Sequence, residues 1–117
     1  FLLRWNTEGF LRIYTQKQMK EIVNEIRNSN RLDPAQKTQL VRNISGSAFP
    51  IEPDAQGRFV LPGHFVDALG LREEVAFVGA FNRIEVWPAA ARREAEAKAQ
   101  EQAAGVAEHV TEIMDLK

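Results

Sequence analysis

The sequence predicts an α+β domain, and three observations carry that prediction. Two short apolar and aromatic runs, each divided by turn residues, read as hairpins at the start of the chain and again beyond residue 75. Each hairpin leads into residues with helical spacing or helical composition. Between them stands Ile51-Glu-Pro-Asp-Ala-Gln-Gly-Arg-Phe-Val-Leu-Pro62, which joins a turn to an apolar run that a proline closes. At 117 residues, 44% hydrophobic and 26% charged, the chain has the composition of one globular domain with a genuine core.

In the first hairpin, Phe1–Trp5 and Phe10–Tyr14 are the strands and Asn6–Gly9 is the turn. Thr15 is an N-cap, and Met19, Ile22, Val23 and Ile26 then fall at helical spacing, so a helix is expected from Gln16 to Asn28. Asp33 followed by Pro34 starts a second helix, with Ala35, Leu40, Val41 and Ile44 on one side and Ser45-Gly46-Ser47 as its stop. Ala48–Pro53 reads as an extended edge strand, because its two prolines remove ladder donors. Gly57 supplies the positive φ of a tight reversal, and Asp54 can accept hydrogen bonds from amides two residues on. Arg58 leaves that turn at the head of a strand, Phe59-Val60-Leu61. Pro62 ends the strand and opens a short helix through Phe65, Val66 and Leu69, with Gly70 as its C-cap. Val75–Ala80 is expected as a buried strand and Arg83–Trp87 as its alternating partner across Phe81-Asn82. An alanine-rich helix follows from Ala89 to Ala104, with Glu94 and Lys98 an i,i+4 pair and Gly105 an interruption. Val106, Val110, Ile113 and Met114 then form a stripe suited to packing or self-association.

Several function classes find no support. Without cysteine there is no disulfide framework, zinc-finger spacing or thiol nucleophile, which fits a reducing cytoplasm. Apolar runs stop well short of the ~18 residues that a membrane span requires. His64 and His109 lie far apart in sequence, and Glu73-Glu74 reads as a solvated turn. No glycine-rich phosphate loop or Ser/His/Asp arrangement is present, so neither an enzyme nor a cofactor nor a small-molecule substrate is indicated. Net charge is −1, divided between a first half (residues 1–50) at +4 from eight Lys/Arg and four Asp/Glu, and a second half (51–117) at −5 from seven and twelve. That division suits an anionic partner for one face, or two solvated surfaces of opposite sign. Arg58 likewise has two readings, a solvated arginine on an ordinary turn or a cation held in position.

A faint repeat organises these elements. Phe1-Leu2-Leu3 resembles Ala76-Phe77-Val78, and an offset of 73 sets Leu11 on Ile84, Ile13 on Val86 and Tyr14 on Trp87. That offset would place a partner for the Asp54–Arg58 turn before residue 1, so one and a half copies of a unit are expected.

Asp54–Pro62, Phe65–Leu71, Val75–Gly79 and Arg83–Trp87 together resemble the second repeat of the MraZ family, within the SpoVT-AbrB-like superfamily. The resemblance implies an N-terminally incomplete family member: residues 1–44 as the remainder of a first repeat with linking helices, 45–105 as the second repeat, and 106–117 as a helical tail. It implies a swapped-hairpin, double-split β-barrel, with subunits closing into ring-like homo-oligomers. It further implies a nucleoid-associated cytoplasmic regulator, most simply a repressor, of a bacterial division and cell-wall gene cluster. Its partner is double-stranded DNA with tandem G-rich promoter boxes. Arg58 would read guanine, Asp54 and Gly57 would shape the loop, and Gln56 would add a polar contact to base or phosphate. For Asp54 the alternative is that it only orders the turn or pairs with Arg58. The rival functional reading is an antitoxin-like or ring-forming protein-interaction scaffold without DNA readout. The sequence departs from the family pattern twice: the first repeat's Asp-x-x-Gly-Arg turn is not among these residues, whether by truncation, disorder or divergence, and Val66 and Asp67 stand where related proteins can carry basic residues. Weak binding per subunit and dependence on several subunits are therefore expected.

Overall fold

The structure, a computed structural model, describes all of residues 1–117. Its elements run β1 (Leu2–Leu3), β2 (Leu11–Ile13), α1 (Gln16–Arg27), α2 (Pro34–Ser47), α3 (Gly63–Leu69), β3 (Val75–Gly79), β4 (Ile84–Pro88), α4 (Ala89–Ala104) and α5 (Ala107–Asp115). The four strands form one antiparallel sheet in the order β1-β2-β4-β3, so two hairpins remote in sequence meet along β2 and β4.

The seam between the hairpins has a local two-fold register. Leu11 lies opposite Val86, Arg12 opposite Glu85 and Ile13 opposite Ile84. Within the hairpins, Leu2 pairs Ile13 and Leu3 pairs Arg12, while Phe77 pairs Val86 and Val78 pairs Glu85. Strand side chains alternate between faces, and consecutive residues of β1 enter different cores. Leu2 joins Leu11, Val86, Phe65 and Leu71 beneath α3. Leu3 joins Tyr14, Met19 and Ile44 beneath α1 and α2. The β1–β2 end of the sheet is thus covered on both faces, and Leu2 and Leu11 are fully buried.

Local chemistry explains the helix starts. Thr15 accepts from the Gln18 amide while the Gln18 side chain accepts from the Thr15 amide, and Asp33 and Gln36 repeat this capping box with Pro34 at the first helical position. α1 stops at Arg27, one residue before the expected end, with Asn28 as its C-cap.

Four expectations are corrected. α2 continues through Ser45-Gly46-Ser47 to Ala48, whose amide donates to the Ile44 carbonyl at 3.0 Å. Buried Ile44 anchors that last turn, and one glycine costs a helix only about 1 kcal/mol. Ala48–Pro53 is no strand but a single bridge: the Leu2 and Phe49 amides donate to each other's carbonyls at 2.8 and 2.9 Å. Pro50 and Pro53, lacking N–H groups, cannot extend it. Phe59–Leu61 also forms no ladder. Phe59 and Leu61 pack on the α3-side core while Val60 is 85% exposed, an alternation proper to a strand but with no neighbouring backbone to pair. β3 is an edge strand rather than a buried one, and Phe77 is 59% exposed.

The remaining expected elements form, with the first hairpin's strands shortened to Leu2–Leu3 and Leu11–Ile13. Pro62 precedes α3, Gly70 caps it at φ 68°, and Gly105 separates α4 from α5. Glu94 and Lys98 pair at 3.4 Å. No residue of α4 or α5 is buried, and Val106, Val110, Ile113 and Met114 stand in solvent. No helix is long and apolar enough to cross a membrane.

Truncating Leu11, at the sealed centre of the hairpin seam, leaves a cavity that rigid strands cannot close. Leu11→Ala should lower unfolding free energy by about 2–5 kcal/mol, whereas Val60→Ala should stay within about 0.5 kcal/mol of the parent. Urea midpoints at constant slope measure both, and equal midpoints would contradict this placement of the core.

Candidate nucleic-acid interface

The candidate site is the Asp54–Arg58 turn, and its geometry follows from one carboxylate. The Asp54 Oδ1 accepts from the Gln56 amide and from the Arg58 amide, both at 2.9 Å. Two backbone bonds close the same loop: the Gly57 amide donates to the Asp54 carbonyl at 2.9 Å, and the Asp54 amide to the Arg58 carbonyl at 2.8 Å. Gly57 takes φ 79°, a left-handed conformation that costs a residue with a Cβ. Open space surrounds the position where a Cβ would stand, so glycine is required there by backbone conformation and not by crowding.

The other carboxylate oxygen is committed to the cation. Arg58 Nε donates to Asp54 Oδ2 at 2.9 Å, which fixes one edge of a guanidinium that is 75% exposed. The Nη groups make no intramolecular hydrogen bond, so a planar pair of donors faces solvent. Asp54 orders the turn and pairs with Arg58 as well. Its carboxyl is held below the usual carboxylate range chiefly by the Arg58 amide, against an opposing effect of desolvation second in size, with the Gln56 amide and then the Arg58 side chain adding to the lowering. Gln56 is exposed, and its side chain enters no hydrogen bond.

The structure therefore brings Asp54, Gln56, Gly57 and Arg58 together in one solvent-facing loop. The loop is tied to the fold on its C-terminal side, where Phe59 and Leu61 pack against the core. Arg58 leaves the turn on that anchored irregular segment instead of a strand. On α3, Asp67 is committed to Arg72 in an exposed ion pair, and Val66 packs against the core.

Sequence reasoning missed how other charges are arranged. Arg12 makes a two-pronged contact with Glu8, Nε to Oε1 and Nη2 to Oε2 at 2.8 Å each, and Nη1 donates to the Tyr14 hydroxyl at 3.0 Å. Glu85 is 6% exposed and is satisfied by Arg83 Nε at 2.8 Å and Trp87 Nε1 at 2.9 Å. Phe10 stacks on Trp87 with ring centroids 4.5 Å apart, and Arg92 lies 5.6 Å from the same indole. The alternation of Arg83, Glu85 and Trp87 was the available signal, since residues two apart share a sheet face. His64 lies against Phe65 with tilted rings 4.1 Å apart, and His109 lies on α5 at 3.9 Å from Glu112. No cluster of three His, Asp or Glu side chains could hold a metal ion.

Sheet, helices and turn together define a small α+β protein that displays a carboxylate-braced arginine on its surface. Residues 44–113 match the family described as "MraZ protein, putative antitoxin-like", and the chain belongs to the MraZ family. It is 30% identical over 88 residues to the "Transcriptional regulator MraZ" of Mesomycoplasma hyopneumoniae, an alignment covering 75% of this chain and 60% of that protein. The protein of that name from Lachnoclostridium phytofermentans is 27% identical over 113 residues, 97% of this chain and 77% of its own length. The Geobacter sulfurreducens protein is 32% identical over 82 residues, 70% of this chain and 52% of its own. The chain thus spans 60% of the length of the first of these relatives.

The lowered pKa of Asp54 has a signed consequence. A carboxyl with a folded pKa below its unfolded value stabilises the loop fully above the unfolded value, about 3.9 for aspartate. That contribution is lost as pH falls through the lowered folded pKa. In an NMR titration the Gln56 and Arg58 amides should move together with a midpoint below the ordinary aspartate value, and Asp54→Asn should abolish the shared transition. A midpoint at or above that value would show that the amides do not hold the carboxylate.

Proposed function

We propose that the chain is a sequence-specific DNA-binding transcriptional regulator, most simply a repressor, that reads tandem G-rich boxes as an oligomer. The carrying observation is the Arg58 guanidinium, held at Nε by Asp54 with its Nη edge free. A fixed planar pair of donors suits the O6 and N7 acceptors of guanine in the major groove, a contact that discriminates by about 1–3 kcal/mol. Asp54 and Gly57 set the loop and Gln56 supplies an adjacent amide for a base or phosphate. The relatives' name, transcriptional regulator, supports the same class of function. The division and cell-wall cluster as target, and action at the nucleoid in the cytoplasm, follow from the family resemblance.

The sheet supports a duplicated architecture. Under the two-fold register, Leu2 corresponds to Phe77 and Leu11 to Ile84. α3 and the segment around Phe59 cover the first pair, whereas Phe77 and Ile84 are 59% and 47% exposed. A second turn-and-helix segment over those residues would complete a double-split barrel. Residues 1–44 would then be the remainder of a first repeat, 45–105 the second and 106–117 a tail. The exposed α5 stripe supports the scaffold alternative, assembly through protein contacts without DNA readout.

With one braced arginine loop in these residues, affinity should rest on several subunits engaging neighbouring boxes. In a gel shift with tandem G-rich boxes, Arg58→Ala should weaken binding by roughly one to two decades for each loop engaged and erase preference over a scrambled duplex. Binding should also weaken steeply with salt. Equal shifts by variant and parent would remove Arg58 from the interface, and an oligomeric parent that shifts no duplex would favour the scaffold.

A further inference from the structure

We infer that the α1–α2 hairpin carries a second nucleic-acid contact, a basic track that grips the phosphodiester backbone without reading sequence. The observation is a concentration of unpartnered cations on one hairpin, although Arg93 and Lys117 elsewhere also lack a carboxylate partner. Arg12, Arg58, Arg72, Arg83, Arg92 and Lys98 each have a carboxylate partner. Lys20, Arg27, Lys37 and Arg42, on α1 and α2, form no ion pair and no side-chain hydrogen bond.

These four cations converge. Arg27, Lys37 and Arg42 line a depression of about 270 Å³ with Thr38 and Val41. Lys20 and Arg27 line a second, of about 280 Å³, with Asn24. Arg27 is common to both, which makes the two depressions one track along the hairpin. No acidic residue lines either depression. Asp33, the acid between the helices, is committed to the Gln36 amide at 2.8 Å. At 100° per residue, Glu21 and Glu25 fall on a different flank of α1 from Lys20 and Arg27. Hydrophobic contacts hold the hairpin rigid: Met19, Ile22 and Ile26 of α1 pack with Ile44 of α2.

A solvated surface of a nearly neutral protein needs no such concentration of uncompensated charge. Two adjoining depressions sharing one cation suit a repeating anion better than a single one. Guanidinium groups suit phosphate oxygens, which they meet through paired donors. The acidic α5 of a second copy fits less well. Its apolar stripe would need an apolar counterpart, and only half-buried Val23 and Val41, with buried Met19, are at hand. The track deepens the DNA-binding reading and rests on it, with a division of labour: the Arg58 loop selects sequence and the hairpin contributes affinity.

The test compares the parent, the triple variant Arg27→Gln/Lys37→Gln/Arg42→Gln, and Arg58→Ala. Each is titrated with a duplex of tandem G-rich boxes and with a scrambled duplex, over a range of salt. Glutamine keeps helix propensity close to that of arginine and lysine, and circular dichroism with sedimentation checks fold and assembly. The triple variant should lose the same factor of affinity on both duplexes, and its log–log salt slope should fall by about 0.9 for each phosphate contact removed. Arg58→Ala should instead lose discrimination between the duplexes. A triple variant that binds both duplexes like the parent, or that changes assembly and not binding, overturns the track and leaves the loop's role standing. If Arg58→Ala has no effect while the triple variant loses affinity on both duplexes, the loop reading fails and the track stands. A folded parent that binds neither duplex overturns both.

Discussion

The β2–β4 pairing is the constraint on which the rest of the structure depends. Neither two-stranded hairpin is stable alone, and the first is the weaker, since β1 and β2 contribute two and three residues against five each from β3 and β4. Joined through Leu11, Arg12 and Ile13 against Val86, Glu85 and Ile84, they make a four-stranded sheet whose faces can be buried. That junction brings the N-terminal hairpin against one remote in sequence and creates the floor on which α3 sits. The candidate loop hangs from the same floor through Phe59 and Leu61, which pack against the core that contains Leu11 and Val86.

The centre of this junction is polar. Arg12 and Glu85 are cross-strand neighbours, yet each is satisfied within its own hairpin, Arg12 by Glu8 and Tyr14 and Glu85 by Arg83 and Trp87. The Glu8 hydrogen bonds and charge hold the Arg12 guanidinium firmly in its charged form. Each hairpin therefore brings a neutralised ion pair to the seam, and the association costs no unpaired buried charge. Apolar pairs on the opposite face supply the gain, with Leu11 and Val86 fully buried.

What was legible in the sequence was local. Thr15 and Asp33 announced helix starts because capping chemistry acts over three residues, and Asp54 with Gly57 announced the turn for the same reason. What was not legible required knowledge of neighbours. Phe59-Val60-Leu61 has the alternation of a strand, but a ladder needs a second backbone, and none is hydrogen-bonded to these residues. Val75–Ala80 reads as apolar enough to be buried, yet it lies at the sheet edge with Phe77 in solvent. Ser45-Gly46-Ser47 reads as a stop, and the burial of Ile44 one residue earlier outweighs it. At the site, Asp54, Gly57 and Arg58 stand out from the turn alone, whereas Gln56 and a DNA-facing role for all four come with the family resemblance. The division of Asp54 between two amides and one guanidinium was open until the structure placed both oxygens.

On the proposed DNA-binding reading, that division is what would let an arginine on an exposed turn be specific. A free arginine side chain loses rotamer freedom when it docks, a cost of about 2 kcal/mol that cancels much of a bidentate contact. Here Asp54 has already restricted the guanidinium, and hydrogen bonds to Gln56, Gly57 and Arg58 have already restricted Asp54. The exposed ion pair itself adds little stability. Its effect is to remove part of the ordering cost before any partner arrives, at a cation whose remaining donors face outward. The α1–α2 cations, unpaired and on flexible side chains, have no such preparation. Phosphate contact tolerates that mobility, whereas reading a base does not.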